Sequence, residues 1–415
     1  MPSVTFDSPY LLQSPLVEQT LGNAKHPLKP IADKVLAGER LSLDEGLALY
    51  ESNDLLYLGL LADFKRRQMH QTQNVYWVHN FHINPTNICE DTCTFCSFKK
   101  GPNSPYAYQM SVEDALNSVR AYPGHDTLRE FHIVGGHYRQ LTLAYHVELF
   151  KALKKEFPHV AIKGLTAAEI DFFGKIDGVT PEQCLQELKA AGLDALPGGG
   201  AEVFAERIRQ IVCPDKITAD RWLEIHGMAH AMGIPSNATM LAGLGETPAE
   251  RVDHMVRLRT QQDKSLSQQS LCQGGGSGAQ HANVALNCST ALANKSTSTG
   301  AFMSFIPLNC YYDNNKIDAK HALTGVENLK NFAVSRLMLD NIPHIKSFWI
   351  HIGEKMSQIG LFFGVDDVDG TVVHEKIAHA AGTESSEHLT RAQLEHLIVN
   401  AGRVPVERDL FYNVV

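Results

Sequence analysis

The sequence predicts an α/β protein: a TIM-like (βα) barrel over residues 76–365, with a helical extension before it (1–75) and a second extension after it (366–415). Residues 14–75 carry helix patterns alone. From residue 76 onward, short apolar strand patterns alternate with amphipathic helix patterns, which implies a parallel sheet. The alternation recurs often enough to favour a closed barrel over an open sheet.

The elements follow in order. Leu41 to Leu61 has apolar residues at helical spacing, interrupted by "SND" at Ser52–Asp54. "VYWVHNFHINP" alternates and is aromatic, so it reads as the first strand. "SVEDALNSVRAY" opens with Ser111 and has Asp114 three residues on, a capping-box start for a helix. "REFHIVGG" is a strand ending in two glycines, and "LTLAYHVELFKALKKEF" a helix with Lys in its last turns. "VAIKGLTA" is a strand. "PEQCLQELKAAG" is a helix with Pro at its start and Gly at its stop. "DALPGGGAE" is a strand end, "RWLEIHGMAHAMG" a helix and "IPSNATMLAG" a strand. "PAERVDHMVRLRTQQ" is a helix, "AFMSFIPL" a strand, "GVENLKNFAVSRLMLDN" a helix and "IKSFWIHIG" a strand. Ser265 to Gly300 is rich in Ser, Gln, Gly, Ala and Asn. It reads as a surface-loop insertion between a barrel helix and the next strand, with Cys272 and Cys288 bland within it.

Composition narrows the function. Across 415 residues, hydrophobic content is 44% and charged content 20%, as in ordinary globular proteins. Lys plus Arg total 37 and Asp plus Glu 46, and the net charge of -9 argues against nucleic acid as the main partner. The N-terminal stretch lacks a secretory pattern, and no run of apolar residues is long enough for a membrane span. Eight scattered cysteines then suggest reduced thiols and a cytoplasmic location. Cys184 and Cys213 read as small buried hydrophobes, and Cys310 is likewise isolated in sequence.

The decisive stretch is "INPTNICEDTCTFCSFKK", which spaces Cys89, Cys93 and Cys96 as C-x3-C-x2-C. Three thiolates on one loop can hold three irons of a cubane cluster. Structural zinc sites usually take four ligands, so a triad suggests a metal site kept open for a ligand. The alternative is a zinc site completed by His79 or His82, in a binding protein without redox chemistry. The loop follows the first barrel strand, so it sits at the C-terminal mouth, where barrel enzymes place reactive groups. Gly135 and Gly136 end the next strand, where glycines allow close backbone approach.

The cysteine spacing, with Phe95 just before the last cysteine, resembles the signature of the radical S-adenosylmethionine superfamily. That resemblance implies a barrel of the radical SAM type. It also implies a [4Fe–4S] cluster on Cys89, Cys93 and Cys96, with S-adenosylmethionine on the fourth iron, and the Gly135–Gly136 pair near the methionine amino group. "HINPTN", "EFHIVGG", "LTAAEIDFF", "AGLDALPGGGAEVFA", "KITADRWLEIHGMAH", "GIPSNATML" and "FGVDDVDGTVVHEKI" extend the likeness over most of the chain, to the aminofutalosine synthase family. Relatives of that family are the cyclic dehypoxanthine futalosine synthases and the deazaflavin-core synthases.

The resemblance implies this chemistry: the 5'-deoxyadenosyl radical adds to the enol-ether alkene of 3-[(1-carboxyvinyl)oxy]benzoate, the aryl group migrates, and the carboxylate carbon is lost. The product is 6-amino-6-deoxyfutalosine, on a route to menaquinone. The superfamily's usual electron donor is a flavodoxin or ferredoxin. A substrate with two carboxylates calls for fixed cations, and the candidates are Arg207, Arg209 and Lys163. Glu202 is a candidate for the cofactor's ribose or amino group. Asn84 and Thr86 are candidates for supporting the cluster approach. Asp366, Asp367 and Asp369 read as an acidic turn. The chain departs from the family pattern at "AGLGE", Ala242 to Glu246, where a His is expected near Gly243, and at "HYRQ", His137 to Gln140.

Overall fold

The computed structural model describes residues 15–273 and 300–415. Ten strands are present among them: β1 (Asn74–Val78), β2 (Asn80–Ile83), β3 (Glu130–Ile133), β4 (Ala161–Gly164), β5 (Leu193–Ala195), β6 (Ser236–Ala242), β7 (Phe302–Asn309), β8 (His344–Ile345), β9 (Asp367–Gly370) and β10 (Val404–Glu407). Every ladder between them is parallel. β2 to β5 pair in sequence, a bridge from Leu196 to Ser236 leads to β6, and β6 to β8 pair in turn. A bridge from Lys346 to Asp367 leads to β9, which pairs with β1. The wall thus returns to its start: the β1–β2 segment followed by β3 to β9 makes an eight-membered parallel barrel.

The single first strand expected from "VYWVHNFHINP" divides at His79 because its neighbour changes there. β1 pairs with β10 on one side, whereas β2 pairs with β3 from Asn80 upward. The break is held by His79 itself, whose ring bonds the Thr127 carbonyl (2.9 Å) and the Tyr122 hydroxyl (2.9 Å). β9 lies inside the stretch expected as the second extension, yet it supplies the closing barrel strand.

The helices start where local chemistry dictates. Capping boxes open Leu43–Glu51, Val112–Arg120, Ala167–Asp177, Pro181–Ala191, Gly325–Met338 and Arg391–Asn400. The helix Leu55–His70 is capped by Asp54, so "SND" separates two helices as expected. The helix Pro248–Gln273 runs into the expected insertion, as far as Gln273. Its extra turns are anchored where the Ser265 hydroxyl meets His230 Nδ1 at 2.8 Å. The remainder of the insertion, with Cys288, lies outside the described residues. Of "IKSFWIHIG" only Ile345 stays in a strand, the last residue of β8, and the stretch turns helical at Trp349–Ile352, where Trp349 Nε1 donates to the Gly370 carbonyl (2.8 Å).

Outward-facing strand residues such as Phe81, Ile83, Phe131 and Ile133 pack with the helices in one continuous apolar core. The lower end of the barrel is closed by charge. Asp366, Asp367 and Asp369, expected as a turn, are buried and paired. Asp366 meets Arg336 (2.6 Å) and His344 (2.6 Å), Asp367 meets Arg408 (2.8 Å), and Asp369 meets Lys346 (2.9 Å). Buried carboxylates need such partners, because desolvation alone would neutralise them. No helix among the described residues is long and apolar enough to cross a membrane.

Candidate active site

The loop from Cys89 to Cys96 lies beyond the C-terminal end of β2 and is held by three other segments. The Glu90 N–H donates to the His137 carbonyl (2.8 Å), and the His137 N–H donates to Cys89 Sγ (3.3 Å). His137 Nδ1 also bonds the Asp91 carboxylate (2.9 Å), and Arg139 forks onto Glu90. The "HYRQ" stretch that departs from the family pattern is therefore a clamp on the cysteine loop. From the far side, the Thr94 N–H donates to the Val212 carbonyl (2.8 Å), and Ser97 bonds the Asp313 carbonyl (3.0 Å).

The glycine pair explains itself sterically. A methyl on Gly136 would overlap the Ile88 carbonyl oxygen and stand 3.0 Å from Cys89 Cβ. Gly135 donates its N–H to Glu169 Oε1 (3.0 Å), and Gly136 donates to the Thr86 carbonyl (3.0 Å). Burial pushes the Glu169 carboxyl up, against the pull of His137, Thr166 and the Gly135 N–H.

Cys93 is buried in a small apolar cluster with Val203, Ile208, Val212, Cys213, Leu241 and Cys310, flanked by Phe95 and Cys96. Burial pushes all three thiols of the loop up. Lys216 opposes that rise at Cys93 and Cys96. Its ammonium lies 5.5 Å from the Phe95 ring centroid and 2.7 Å from Glu202 Oε1. Burial disfavours the Lys216 charge, yet Cys93, Glu202 and Cys213 hold its pKa well above the usual lysine value. A buried cation beside thiols favours their thiolate form, the form that binds metal.

The expected candidates fall into two groups. Glu202, at a positive φ of 48°, reaches Phe95 of the cysteine loop through Lys216. Asn84 lies on the inner face with its Nδ2 on the Val134 carbonyl (2.9 Å), while its buried Oδ1 has no hydrogen-bond partner among the described residues. Thr86 caps the loop, bonding the Tyr108 carbonyl (2.6 Å). The two arginines go elsewhere. Arg207 is exposed on a helix and forks onto Glu250 (2.8 Å). Arg209 is buried, and its guanidinium is spent on the carbonyls of Ala201 (2.6 Å) and Ile217. It holds the Glu202 turn and offers no free charge to a substrate. Lys163 faces into the barrel but is paired with Glu130 (2.5 Å). At Gly243 the expected His has no room: a Cβ there would strike the Tyr312 hydroxyl, which bonds the Gly243 carbonyl (2.8 Å).

The donor set fits a cluster better than one zinc ion. Among the described residues, the group whose ligand atoms all lie within 4.8 Å of one another is His70, His344 and Asp366, and that group is already tied to Arg336. Three thiolates on one loop can hold three irons of a cubane. His79, proposed as a fourth zinc ligand, has both ring nitrogens engaged outside the barrel, and His82 lies in the barrel interior, stacked on His132. Glu169, Lys216, His137 and Asp91 are residues that the motif reading missed. Only Glu169 has a local signal, the Thr166–Glu169 capping box one βα unit after the glycines.

Comparison with known proteins agrees with this geometry. Residues 83–258 match the model of the radical SAM superfamily, and residues 299–415 match that of the CofH/MqnC C-terminal region. The chain is 42% identical to the aminodeoxyfutalosine synthase of Thermus thermophilus, covering 94% of this chain and 96% of that one. It is 38% identical to that of Streptomyces coelicolor, covering 93% and 94%. The cyclic dehypoxanthine futalosine synthase of Streptomyces coelicolor is 32% identical, covering 94% and 89%. Among solved structures, the FeFe-hydrogenase maturase HydG from Carboxydothermus hydrogenoformans superposes with a TM-score of 0.67 at 16% identity, over 96% of this chain and 83% of that one. The chain belongs to the radical SAM superfamily of enzymes and, within it, to the aminodeoxyfutalosine synthase family. Membership implies a [4Fe–4S] cluster and S-adenosylmethionine.

Proposed function

We propose that this enzyme joins the 5'-deoxyadenosyl group of S-adenosylmethionine to the enol-ether alkene of 3-[(1-carboxyvinyl)oxy]benzoate, giving 6-amino-6-deoxyfutalosine for menaquinone synthesis in the cytoplasm. The observation that carries the reading is the 42% identity to an aminodeoxyfutalosine synthase across nearly the whole of both chains. The chain's own C-x3-C-x2-C loop supports it from the chemical side.

In this reading Cys89, Cys93 and Cys96 hold the cluster, and Phe95 of the same loop packs beside Cys93. When bound, the cluster supplies the electron that divides S-adenosylmethionine into methionine and an adenosyl radical, and a flavodoxin or ferredoxin is the class of donor. The remaining work belongs to the protein. Gly135 and Gly136 let the second strand approach the loop, so that backbone carbonyls reach the methionine amino group. Glu202 and Asn84 offer acceptors to the same cofactor. The apolar cluster around Cys93 excludes water, which protects a radical from side reactions.

The test is anaerobic reconstitution followed by turnover. The expected result is a brown protein with about four irons per chain. With S-adenosylmethionine, the benzoate substrate and a reductant, it forms a product that retains the adenosine skeleton. Release of 5'-deoxyadenosine as a separate product, with cyclisation of dehypoxanthine futalosine, would assign the chain to the cyclase instead.

A further inference from the structure

Barrel interiors are normally filled by branched apolar side chains. One inward layer here is polar. The β2–β3–β4 register sets His82, His132 and Lys163 side by side, while their outward neighbours Phe81, Ile83, Phe131 and Ile133 join the apolar core. Lys163 is bound to Glu130 (2.5 Å), and Lys346 to Asp369 (2.9 Å). These charges cancel in pairs and are unavailable to a ligand.

The imidazoles are different. His82 and His132 stack with ring centroids 4.6 Å apart. His82 is 6% exposed, and its Nε2 has no hydrogen-bond partner among the described residues. Two residues on, along the same inward face, Asn84 is 2% exposed and its Oδ1 also lacks a partner. Buried polar atoms are rarely left unpaired, so three on one face, Asn80 Nδ2 included, call for an explanation. The strap that follows β9 adds a second sign. Val372 and His374 have φ of 50° and 67°, as Asp369 within β9 has 67°, and a β-branched residue at positive φ is a true outlier. Such strain concentrates at functional sites. The strap brings His374 onto Phe81 (5.2 Å) and Glu375 into the field of His82.

We propose that His82 and His132, with Asn84 above them, form the subsite that holds the carboxylate end of an aromatic carboxylic acid substrate. Two stacked imidazoles can each donate one N–H to an oxygen of the same carboxylate. Burial keeps both imidazoles neutral in the free protein, so each has one N–H to donate. Gly136, which touches the cysteine loop, lies four residues beyond His132 and past the end of β3, so the two histidines sit deeper in the barrel than that loop. The assignment rests on the reading that the substrate is an aryl enol ether, and it names the residues that orient it.

The reconstituted enzyme is titrated with 3-hydroxybenzoate as an unreactive probe, and KM for the full substrate is measured in parallel. His82→Leu and His132→Leu are expected to weaken probe binding and raise KM by about tenfold or more, with iron content retained, because a site built to hydrogen-bond a group is left unpaired. His82→Gln, which keeps a donor near Nε2, recovers part of the loss. Unchanged affinity in both Leu variants overturns the subsite. Should those variants lose the cluster, the histidine 15N spectrum of the wild-type enzyme decides. Both rings shift on saturation with the probe if the subsite is real, and neither moves if it is not. A wild-type enzyme that binds the probe through these histidines but makes no adenosyl adduct refutes the functional reading and leaves the subsite standing.

Discussion

Gly136 and Ile88 touch so closely that no side chain fits between them: a methyl on Gly136 would overlap the Ile88 carbonyl oxygen. This contact joins the end of the β3 segment to the residue before Cys89. It converts a strand terminus into one wall of the cysteine loop. The loop's other bonds to the same segment, through His137 and Arg139, act only if that approach is made.

Gly136→Ala therefore forces the loop outward. The clash is with backbone, which cannot rotate away, and overpacking of this kind costs about 1–3 kcal/mol. The expected outcome is a folded barrel with normal far-UV dichroism and less than half the wild-type iron after reconstitution. Full iron loading in the variant would show that the loop does not depend on the contact.

Arg207 and Arg209 differ in sequence position by two residues and in consequence by far more. Arg207→Ala removes an exposed pair with Glu250, worth about 0–1 kcal/mol. It should leave both stability and turnover near wild type. Arg209→Ala strips two carbonyls of their buried donor and is expected to cost about 3 kcal/mol in urea unfolding. The Glu202 turn loosens with it, so turnover falls as well. Equal effects from the two substitutions would contradict this assignment.

Several buried histidines make stability depend on pH. Burial pushes His146 down to about 4, and His230 and His254 to about 3. The folded protein holds these rings neutral, whereas the unfolded chain protonates them near pH 6.5. The unfolded state thus binds more protons as pH falls, and the stability present above pH 6.5 is lost on the way to pH 4. For His146 the loss is about 3 kcal/mol by pH 4. Urea midpoints at pH 7 and pH 4.5 measure it, and His146→Gln should flatten part of the slope. A midpoint that does not move between those pH values would refute the claim.

Much of this protein was legible in its residues because the signals are local. Helix starts are written in capping boxes four residues long, and strand–helix alternation needs only a window of neighbours. The cysteine spacing names its chemistry because one loop supplies all three sulfurs. Local reading failed where the deciding partner is remote in sequence. The acidic stretch at Asp366–Asp369 looks like a solvated turn until Arg336, Lys346 and Arg408 are brought to it. Arg207 and Arg209 look alike until one is found on a surface and the other under a turn.

The sequence by itself determined the barrel class, the cysteine loop and the family, since periodicity and motif spacing survive without knowledge of contacts. Only the tertiary structure decided which charges are spent and which polar atoms are left over. His82 and His132 lie 50 residues apart and become neighbours through strand register alone. A buried group's role depends on its partners, and closure of the barrel selects those partners from across the chain.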